Sequence, residues 1–221
     1  MRPHHLNTAP PVPLSRGLLE RLPRTSLHAG RNVSKAAIDL VEHEGRSLVI
    51  KDVAHRPLWV RALLGPFQLR REARAYRRLA GLEGIPSLVQ VIDRRALALE
   101  RIDGRPIRDV PRGAIPPVFF DRLQALIQAI HARGVAHGDL HHGDVLVAPG
   151  DRPYVIDFST ASFAGRRGGR ARRFFFDQAR LADQRAVAKL RRRWLGGAEA
   201  AVPERPVLYR IGTRLRRLLG L

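Results

Sequence analysis

The chain of 221 residues contains no cysteine, which excludes a disulfide framework, a thiolate metal site and a cysteine nucleophile. It also lacks any apolar run approaching the roughly 20 residues that a bilayer-spanning helix requires. The N-terminus runs from Met1-Arg2 into a proline-rich stretch without the apolar core of a secretory signal. We therefore expect a cytoplasmic protein.

Acidic residues are half as numerous as basic ones, 20 against 40, which leaves a formal charge of +20. Lysine is scarce and occurs only at Lys35, Lys51 and Lys189. A charge of this size favours a polyanionic partner: nucleic acid, an anionic membrane surface or an anionic substrate. The alternative is that the arginine-rich, Ala- and Leu-rich composition reflects genome composition and carries no function.

Hydrophobic residues make up 44% of the chain, enough for a packed core, and their spacing divides it into three segments. Residues 1–23 are proline-rich and polar, which predicts a flexible leader. Residues 24–102 are mainly strand-like, and residues 103–221 are mainly helical. The predicted fold class is α+β.

The strand-like segment contains two predicted hairpins separated by a helix. Strands at 36–42 and 47–53 flank a turn with glycine, and strands at 88–92 and 96–100 form the second pair. Between the hairpins, residues 68–82 carry apolar side chains at helical spacing.

The helical segment contains three predicted helices and one long loop. Apolar side chains form one stripe along residues 117–133, which predicts a strong amphipathic helix. An arginine- and glycine-rich loop is predicted at 164–173. Basic helices are predicted at 174–195 and 207–219.

Three carboxylates, those of Asp139, Asp144 and Asp157, surround two short apolar strands joined by a turn. Such a unit can hold one carboxylate near a nucleophile and two near a metal ion. Phosphoryl transfer from a nucleotide needs this combination of positioning and charge neutralisation.

The order of these elements resembles the protein-kinase-like superfamily. The loop at 137–141, His-Gly-Asp-Leu-His, is similar to the catalytic loop of aminoglycoside phosphotransferases. The short length and basic character are similar to bacterial lipopolysaccharide core kinases and small RIO-like kinases. The resemblance covers roughly residues 25–160, and it implies a two-lobed fold with a β-rich N-lobe at 24–102 and a helical C-lobe at 103–221.

The resemblance also implies an ATP- and Mg²⁺-dependent kinase with assigned residues. Asp139 would accept the proton of the attacking hydroxyl, while Asp144 and Asp157 would bind Mg²⁺. Lys51 would reach the nucleotide phosphates, and Glu72 on the following helix would pair with Lys51.

The nucleotide-covering part of the family pattern is sparse in this chain. Of the expected glycine-rich loop only Gly30 is present, and its backbone amides would contact phosphate. Glu100 and Ile102 fall where the family offers backbone groups to the adenine.

Two positions depart from the family pattern. Asp144 stands where the family has asparagine, and Ser159 stands where the glycine at the third position of the Asp-Phe-Gly motif is expected. These departures favour an alternative in which the protein is a pseudokinase, a binding or scaffold module. A basic nucleic-acid-binding protein is a third hypothesis, although no specific nucleic acid is predicted.

The resemblance implies an anionic acceptor, either a sugar hydroxyl of a lipopolysaccharide core or a protein Ser/Thr. Peripheral contact with the inner membrane face through the basic C-terminal half is one interpretation, with Phe174–Phe176 and Trp194 as apolar anchors beside the arginines. The other is a solvated basic face with the aromatic side chains packed inward.

Overall fold

The computed structural model describes residues 13–28, 36–165 and 169–196. Gly30 and the predicted helix at 207–219 lie outside these residues. The predicted α+β class is confirmed by the mixture of antiparallel sheet and long helices.

The described residues form two compact units. The first contains residues up to 66 together with 89–101, and the second contains 67–88 together with 102 onward. The helical segment 67–88 thus groups with the second unit, whereas the sequence pattern placed it in the N-lobe.

The first unit is built on a five-stranded sheet with strand order β1-β2-β3-β5-β4. The pairs β1–β2, β2–β3 and β3–β5 are antiparallel. Its elements are α1 (Arg16–Arg21), β1 (Thr25–His28), β2 (Ala37–His43), β3 (Arg46–Asp52), β4 (Leu88–Asp93) and β5 (Ala96–Glu100).

A two-residue turn joins β2 to β3. Both of its central residues, Glu44 and Gly45, have positive φ, 51° and 73°. This turn geometry matches the right-handed twist of the flanking strands, which is why it sets the register of the hairpin.

Residues 16–21 form the packed helix α1, where a flexible leader was predicted. The Ser15 side chain caps its N-terminus, and Leu14 and Leu19 are buried in the core of the sheet. Arg16 donates hydrogen bonds to Asp93 at 2.8 and 2.9 Å and to Asp52 at 2.6 Å. A six-residue helix held by such distant partners leaves little trace in the local sequence pattern.

The second unit contains the long helices and two small sheets, ordered β6-β8-β9 and β7-β10. Buried residues of α3, among them Phe119, Leu123 and Ile127, form much of its core. The elements are α2 (Gly65–Leu79), β6 (Arg105–Pro106), α3 (Pro117–Ala132), β7 (Val135–Ala136), β8 (Val145–Ala148), β9 (Arg152–Val155), β10 (Ser162–Phe163) and α4 (Gly169–Leu195).

Two helix starts differ from the sequence prediction. A π-helical segment at Val60–Leu64 leads directly into α2, so helical structure begins before residue 68. Helix α4 begins at Gly169, and Arg170, Arg172 and Arg173 are therefore helical although the loop prediction included them. Arginine and alanine are good helix formers, and their helix propensity outweighs the loop tendency of the glycines there.

Among the described helices, including the 27-residue α4, none combines the length and apolar character that a membrane span requires.

Candidate functional site

The three predicted site carboxylates lie on the loop after β7 and at one end of the β8–β9 hairpin. Asp139 is exposed in the loop, Asp144 directly precedes β8, and Asp157 follows β9. The Ile156 N–H donates a hydrogen bond to the Asp144 carbonyl at 2.9 Å, which continues the β8–β9 ladder by one step. Asp144 and Asp157 therefore leave the hairpin at the same end.

His137 connects this loop to the hairpin. Its side chain is buried, and its Nε2–H donates to the Ile156 carbonyl at 2.9 Å. The ring lies 5.1 Å from that of Phe158, and the Thr160 hydroxyl donates to the His137 carbonyl at 2.9 Å. The residues before Asp139 and those on either side of Asp157 are thus held together.

Asp183 on α4 fixes the loop from the other side, and sequence reasoning missed it. One carboxylate oxygen accepts hydrogen bonds from the His137 N–H at 2.8 Å and His131 Nε2 at 2.9 Å. The other accepts one from the Gly138 N–H at 2.8 Å. Asp183 is fully buried on the core stripe of a basic helix. An aspartate in that stripe was the available signal, because buried carboxylates require partners.

Gly138 adopts a backbone conformation that other residues reach only under strain. Its φ is +85°, and a Cβ added there would lie 3.2 Å from the Thr160 carbonyl oxygen. Glycine therefore permits both the turn before Asp139 and the close approach of the 160 segment.

Asp157 has a left-handed backbone conformation with φ +65°. Its N–H donates to the Tyr76 hydroxyl oxygen at 3.3 Å, and the Tyr76 ring packs edge-on against Phe158 at 5.3 Å. Tyr76 on α2 is thus a further site residue that the sequence pattern does not identify, because a tyrosine among apolar residues at helical spacing indicates core packing.

Asp144 forms a close pair with His141. The carboxylate accepts from His141 Nδ1 at 2.8 Å and from the His141 N–H at 3.1 Å. This side-chain hydrogen bond raises the pKa of His141, and the negative charges of Asp144 and Asp139 add to the rise. Asp139 is therefore close enough to contribute to the field at this pair.

His142 lies in positive surroundings. Burial lowers its pKa, and the charges of His141, Arg193 and Arg108 lower it further. The positive charges of Arg193 and Arg108 thus act on the loop that follows Asp139.

The donor set at the hairpin end suits Mg²⁺. Among the described residues no group of three or more His, Asp or Glu side chains gathers as a metal cluster. Mg²⁺ in nucleotide enzymes needs fewer protein ligands, since it commonly uses one or two carboxylates together with water and substrate phosphates. Asp144 and Asp157 carry oxygen donors of this kind, and their assignment as Mg²⁺ ligands stays a prediction.

The remaining predicted residues are distributed over both units. Lys51 is buried in β3, opposite Ile38 and Leu97, and belongs to the first unit. Glu72 is buried in α2 and belongs to the second, so the predicted pairing of Lys51 with Glu72 stays a prediction.

Glu100 ends β5, and Ile102 follows the boundary between the units. Their predicted proximity to adenine also stays a prediction. Gly30 lies outside the described residues.

The aromatic side chains of the basic half divide between core and surface. Phe176 and Trp194 are buried, and Trp194 Nε1–H donates to the Val110 carbonyl at 3.0 Å. They are therefore not membrane anchors, contrary to one of the two interpretations above. Phe174 and Phe175 are exposed.

Comparison with curated proteins gives matches that cover small parts of longer proteins. No family model matches the chain. It is 30% identical over 125 residues to the probable SapB synthase of Streptomyces coelicolor, covering 46% of this chain and 13% of that protein. It is 30% identical over 150 residues to a probable bifunctional tRNA threonylcarbamoyladenosine biosynthesis protein of Methanosarcina barkeri, covering 64% and 26%. The chain thus spans at most 26% of these relatives.

Comparison with solved structures gives broader coverage at low identity. The Rio2 kinase of Chaetomium thermophilum superimposes with a TM-score of 0.59 at 18% identity, covering 83% of this chain and 61% of that one. The same kinase in its ADP/Mg²⁺-phosphoaspartate complex gives a TM-score of 0.55 at 17% identity, covering 83% and 65%. In its architecture the chain therefore has a protein-kinase-like fold, similar to that of the Rio2 kinase.

Proposed function

We propose that the protein is a kinase that transfers the γ-phosphate of ATP to a hydroxyl group. The acceptor oxygen forms a bond to the γ-phosphorus, and the bond from that phosphorus to the oxygen bridging to ADP breaks. The proton of the hydroxyl passes to the carboxylate of Asp139. The products are ADP and a phosphate monoester.

The observation that carries this proposal is the buried network around Asp139 and Asp157. A rigid loop suits a general base, since proton transfer depends on hydrogen-bond geometry. Asp183 holds the backbone at His137 and Gly138, and the His137 side chain extends the connection to Ile156, next to Asp157. The ADP/Mg²⁺ complex of a structural neighbour supports the choice of nucleotide and metal.

Asp144 and Asp157 are the residues that would hold Mg²⁺. A bound Mg²⁺ supplies positive charge that neutralises the nucleotide phosphates. We extend the proposal to Lys51 as a phosphate ligand and Glu72 as its partner. The neutral variant Lys51→Met tests this extension through its affinity for ATP.

The acceptor is proposed to be a sugar hydroxyl of a lipopolysaccharide core or a protein Ser/Thr, on the cytoplasmic side of the inner membrane. Leu58, Trp59 and Leu63 on the first unit support peripheral membrane contact, because these large apolar side chains are 53–73% exposed. Arg61 lies among them in the sequence, and cations beside exposed apolar groups favour an anionic bilayer surface.

Binding of ATP in the presence and absence of Mg²⁺ tests the nucleotide and metal assignments. Asp157→Asn should weaken the Mg²⁺-dependent part of ATP binding, whereas Asp151→Asn should not change it. Asp151 is the matched control, since it lies at the opposite end of the same hairpin and also has positive φ, 52°. Equal losses in the two variants, or no Mg²⁺-dependent ATP binding by the unmodified protein, would contradict the proposal.

A catalytically weak binding module is the second candidate. The observation that favours it is the engagement of Asp144 by His141, which occupies one oxygen of a proposed metal ligand. This candidate predicts ATP binding without phosphate transfer, and it is separated from the kinase proposal by measuring turnover on the same protein.

Nucleic-acid binding is the third candidate. The Methanosarcina relatives are named as probable bifunctional tRNA threonylcarbamoyladenosine biosynthesis proteins, and the formal charge of this chain is +20. Binding of this kind would be sequence-independent and would weaken steeply with salt. Weak binding of tRNA at physiological salt would contradict this candidate function.

A further inference from the structure

Helix α4 and the loop after β7 border a cavity of 570 Å³ that includes Asp139. This volume falls in the range of sites for small molecules and headgroups, roughly 300–1,000 Å³. The loop contributes residues 138–142, and the segment after β9 contributes Thr160 and Ser162. The wall opposite these segments is formed by α4.

The α4 wall carries a row of cations. Arg185, Lys189 and Arg193 follow one another at intervals of four residues, which places them on one face of the helix. The other lining residues of α4 are neutral, and several are small: Phe175, Gln178, Ala179, Ala182, Ala186 and Leu190. The alanines leave space in front of the helix, and the long basic side chains border that space.

The lining of the cavity carries more positive than negative side chains. Among the described residues that line the cavity, Asp139 is the only one with a carboxylate, against the three cations of α4. In the described part of the chain, neither Lys189 nor Arg193 forms an ion pair with a carboxylate, and Arg193 contacts the Trp194 ring at 5.3 Å. A cavity with one proton acceptor and several cations suits a ligand that has both a hydroxyl and an anionic group.

We propose that this cavity binds the acceptor, and that the acceptor is a phosphate-bearing sugar or polyol. Its existing phosphate pairs with Arg185, Lys189 and Arg193, and one of its hydroxyls lies at Asp139. Guanidinium groups bind phosphate through paired hydrogen bonds, and ammonium groups add a compact charge. The inference rests on the proposed function in treating Asp139 as the base, and it adds the class of substrate.

A free sugar phosphate and a phospholipid headgroup share this chemistry. The test therefore has a soluble arm and a membrane arm, both without nucleotide and at an ionic strength of about 0.15 M, where long-range attraction to the basic chain is screened. The soluble arm compares glycerol 3-phosphate with glycerol by calorimetry. The membrane arm compares vesicles containing phosphatidylglycerol with vesicles of phosphatidylcholine alone by co-sedimentation.

The double variant Lys189→Ala/Arg193→Ala should weaken binding of the phosphate-bearing probe by at least about tenfold, since two charge-assisted contacts are lost. Arg192→Ala is the matched control: Arg192 is exposed on the same helix turn and does not line the cavity. Its binding should match that of the unmodified protein. Binding in the soluble arm identifies a free acceptor, and binding only in the membrane arm identifies a headgroup.

The inference is overturned if neither phosphate-bearing probe binds, or if Arg192→Ala weakens binding as much as the double variant. Turnover of ATP is measured separately. Probe binding by a protein that does not turn over ATP would contradict the proposed function and leave the anion site in place. Turnover of ATP by a protein that binds neither probe would contradict the acceptor site alone.

Discussion

The carboxylate of Asp183 accepts a hydrogen bond from the backbone N–H of His137 at 2.8 Å, across 46 residues of sequence. The adjacent N–H of Gly138 binds the other oxygen of the same carboxylate. Two consecutive amides before Asp139 are therefore held by one buried side chain of α4. Asp183 acts as a positioning residue for the proposed base.

Replacing Asp183 by alanine should lower the free energy of unfolding by about 2–4 kcal/mol, because two buried N–H donors each lose an acceptor at a cost of roughly 1–3 kcal/mol. Urea denaturation measures the change. Asp177→Ala is the control, since Asp177 lies on the same helix with its side chain 48% exposed. Its effect should stay within about 0.5 kcal/mol. Equal effects of the two substitutions would refute the anchoring role.

Gly138→Ala should reduce phosphate transfer by about tenfold or more, because displacement of a catalytic group by a fraction of an ångström is costly. The added methyl group would lie 3.2 Å from the Thr160 carbonyl oxygen, beside Asp139. Gly150→Ala provides the comparison: Gly150 has a similar φ of +76°, and a Cβ there meets no atom within 4 Å. Both variants incur the backbone strain of about 1–2 kcal/mol, and only Gly138→Ala should lose activity.

His141 should titrate at higher pH than His142 in metal-free protein, because the Asp144 carboxylate raises the pKa of His141 while burial lowers that of His142. Protonated His141 therefore stabilises the folded state. This contribution is complete below the pKa of an unfolded histidine and is lost as the pH rises through the raised pKa. NMR titration of the two rings measures the order, and Asp144→Asn should bring the pKa of His141 down. An unchanged His141 titration in that variant would rule out the pairing as the cause.

Arg16→Ala should destabilise the first unit by about 2–3 kcal/mol, because the buried Asp52 carboxylate loses its nearest cation. The same arginine lowers the pKa of Asp93 against the opposing effect of burial, so the Arg16–Asp93 pair weakens as the pH falls through that lowered pKa. Thermal unfolding measures the loss. Arg21→Ala, at the exposed end of α1, should change stability by no more than about 0.5 kcal/mol, and a comparable loss there would contradict the account of Arg16.

The local sequence pattern predicts those helices and strands whose buried residues lie close together along the chain. The predicted strand at 96–100 coincides with β5, and the predicted helix at 117–133 ends one residue beyond α3. Residues 96–99 form a continuous buried run, as in a fully buried strand, and the buried side chains of α3 recur at helical spacing. The candidate carboxylates Asp139, Asp144 and Asp157 can likewise be identified from the sequence, because they fall within one short segment.

A local pattern does not reveal the partners of residues that contact the site from far along the chain. Tyr76 meets Asp157 across 81 residues, and Asp183 meets His137 across 46. Nothing in the sequence near Asp183 reveals that its partners are backbone amides, because every residue offers the same amide. The start of α4 differs from the prediction because the glycines at 164–173 resemble a loop, whereas the arginines and alanine between Gly169 and Phe174 favour a helix.

Turnover of ATP by Asp139→Asn tests the central claim most directly, because asparagine has nearly the same shape as aspartate and cannot accept the hydroxyl proton in the same way. Single-turnover transfer and binding of Mg²⁺-ATP are measured on the same preparations. The account predicts unchanged ATP affinity and a transfer rate lower by about 10²–10⁴-fold, the usual contribution of a general base. Transfer by Asp139→Asn at the rate of the unmodified protein would contradict it.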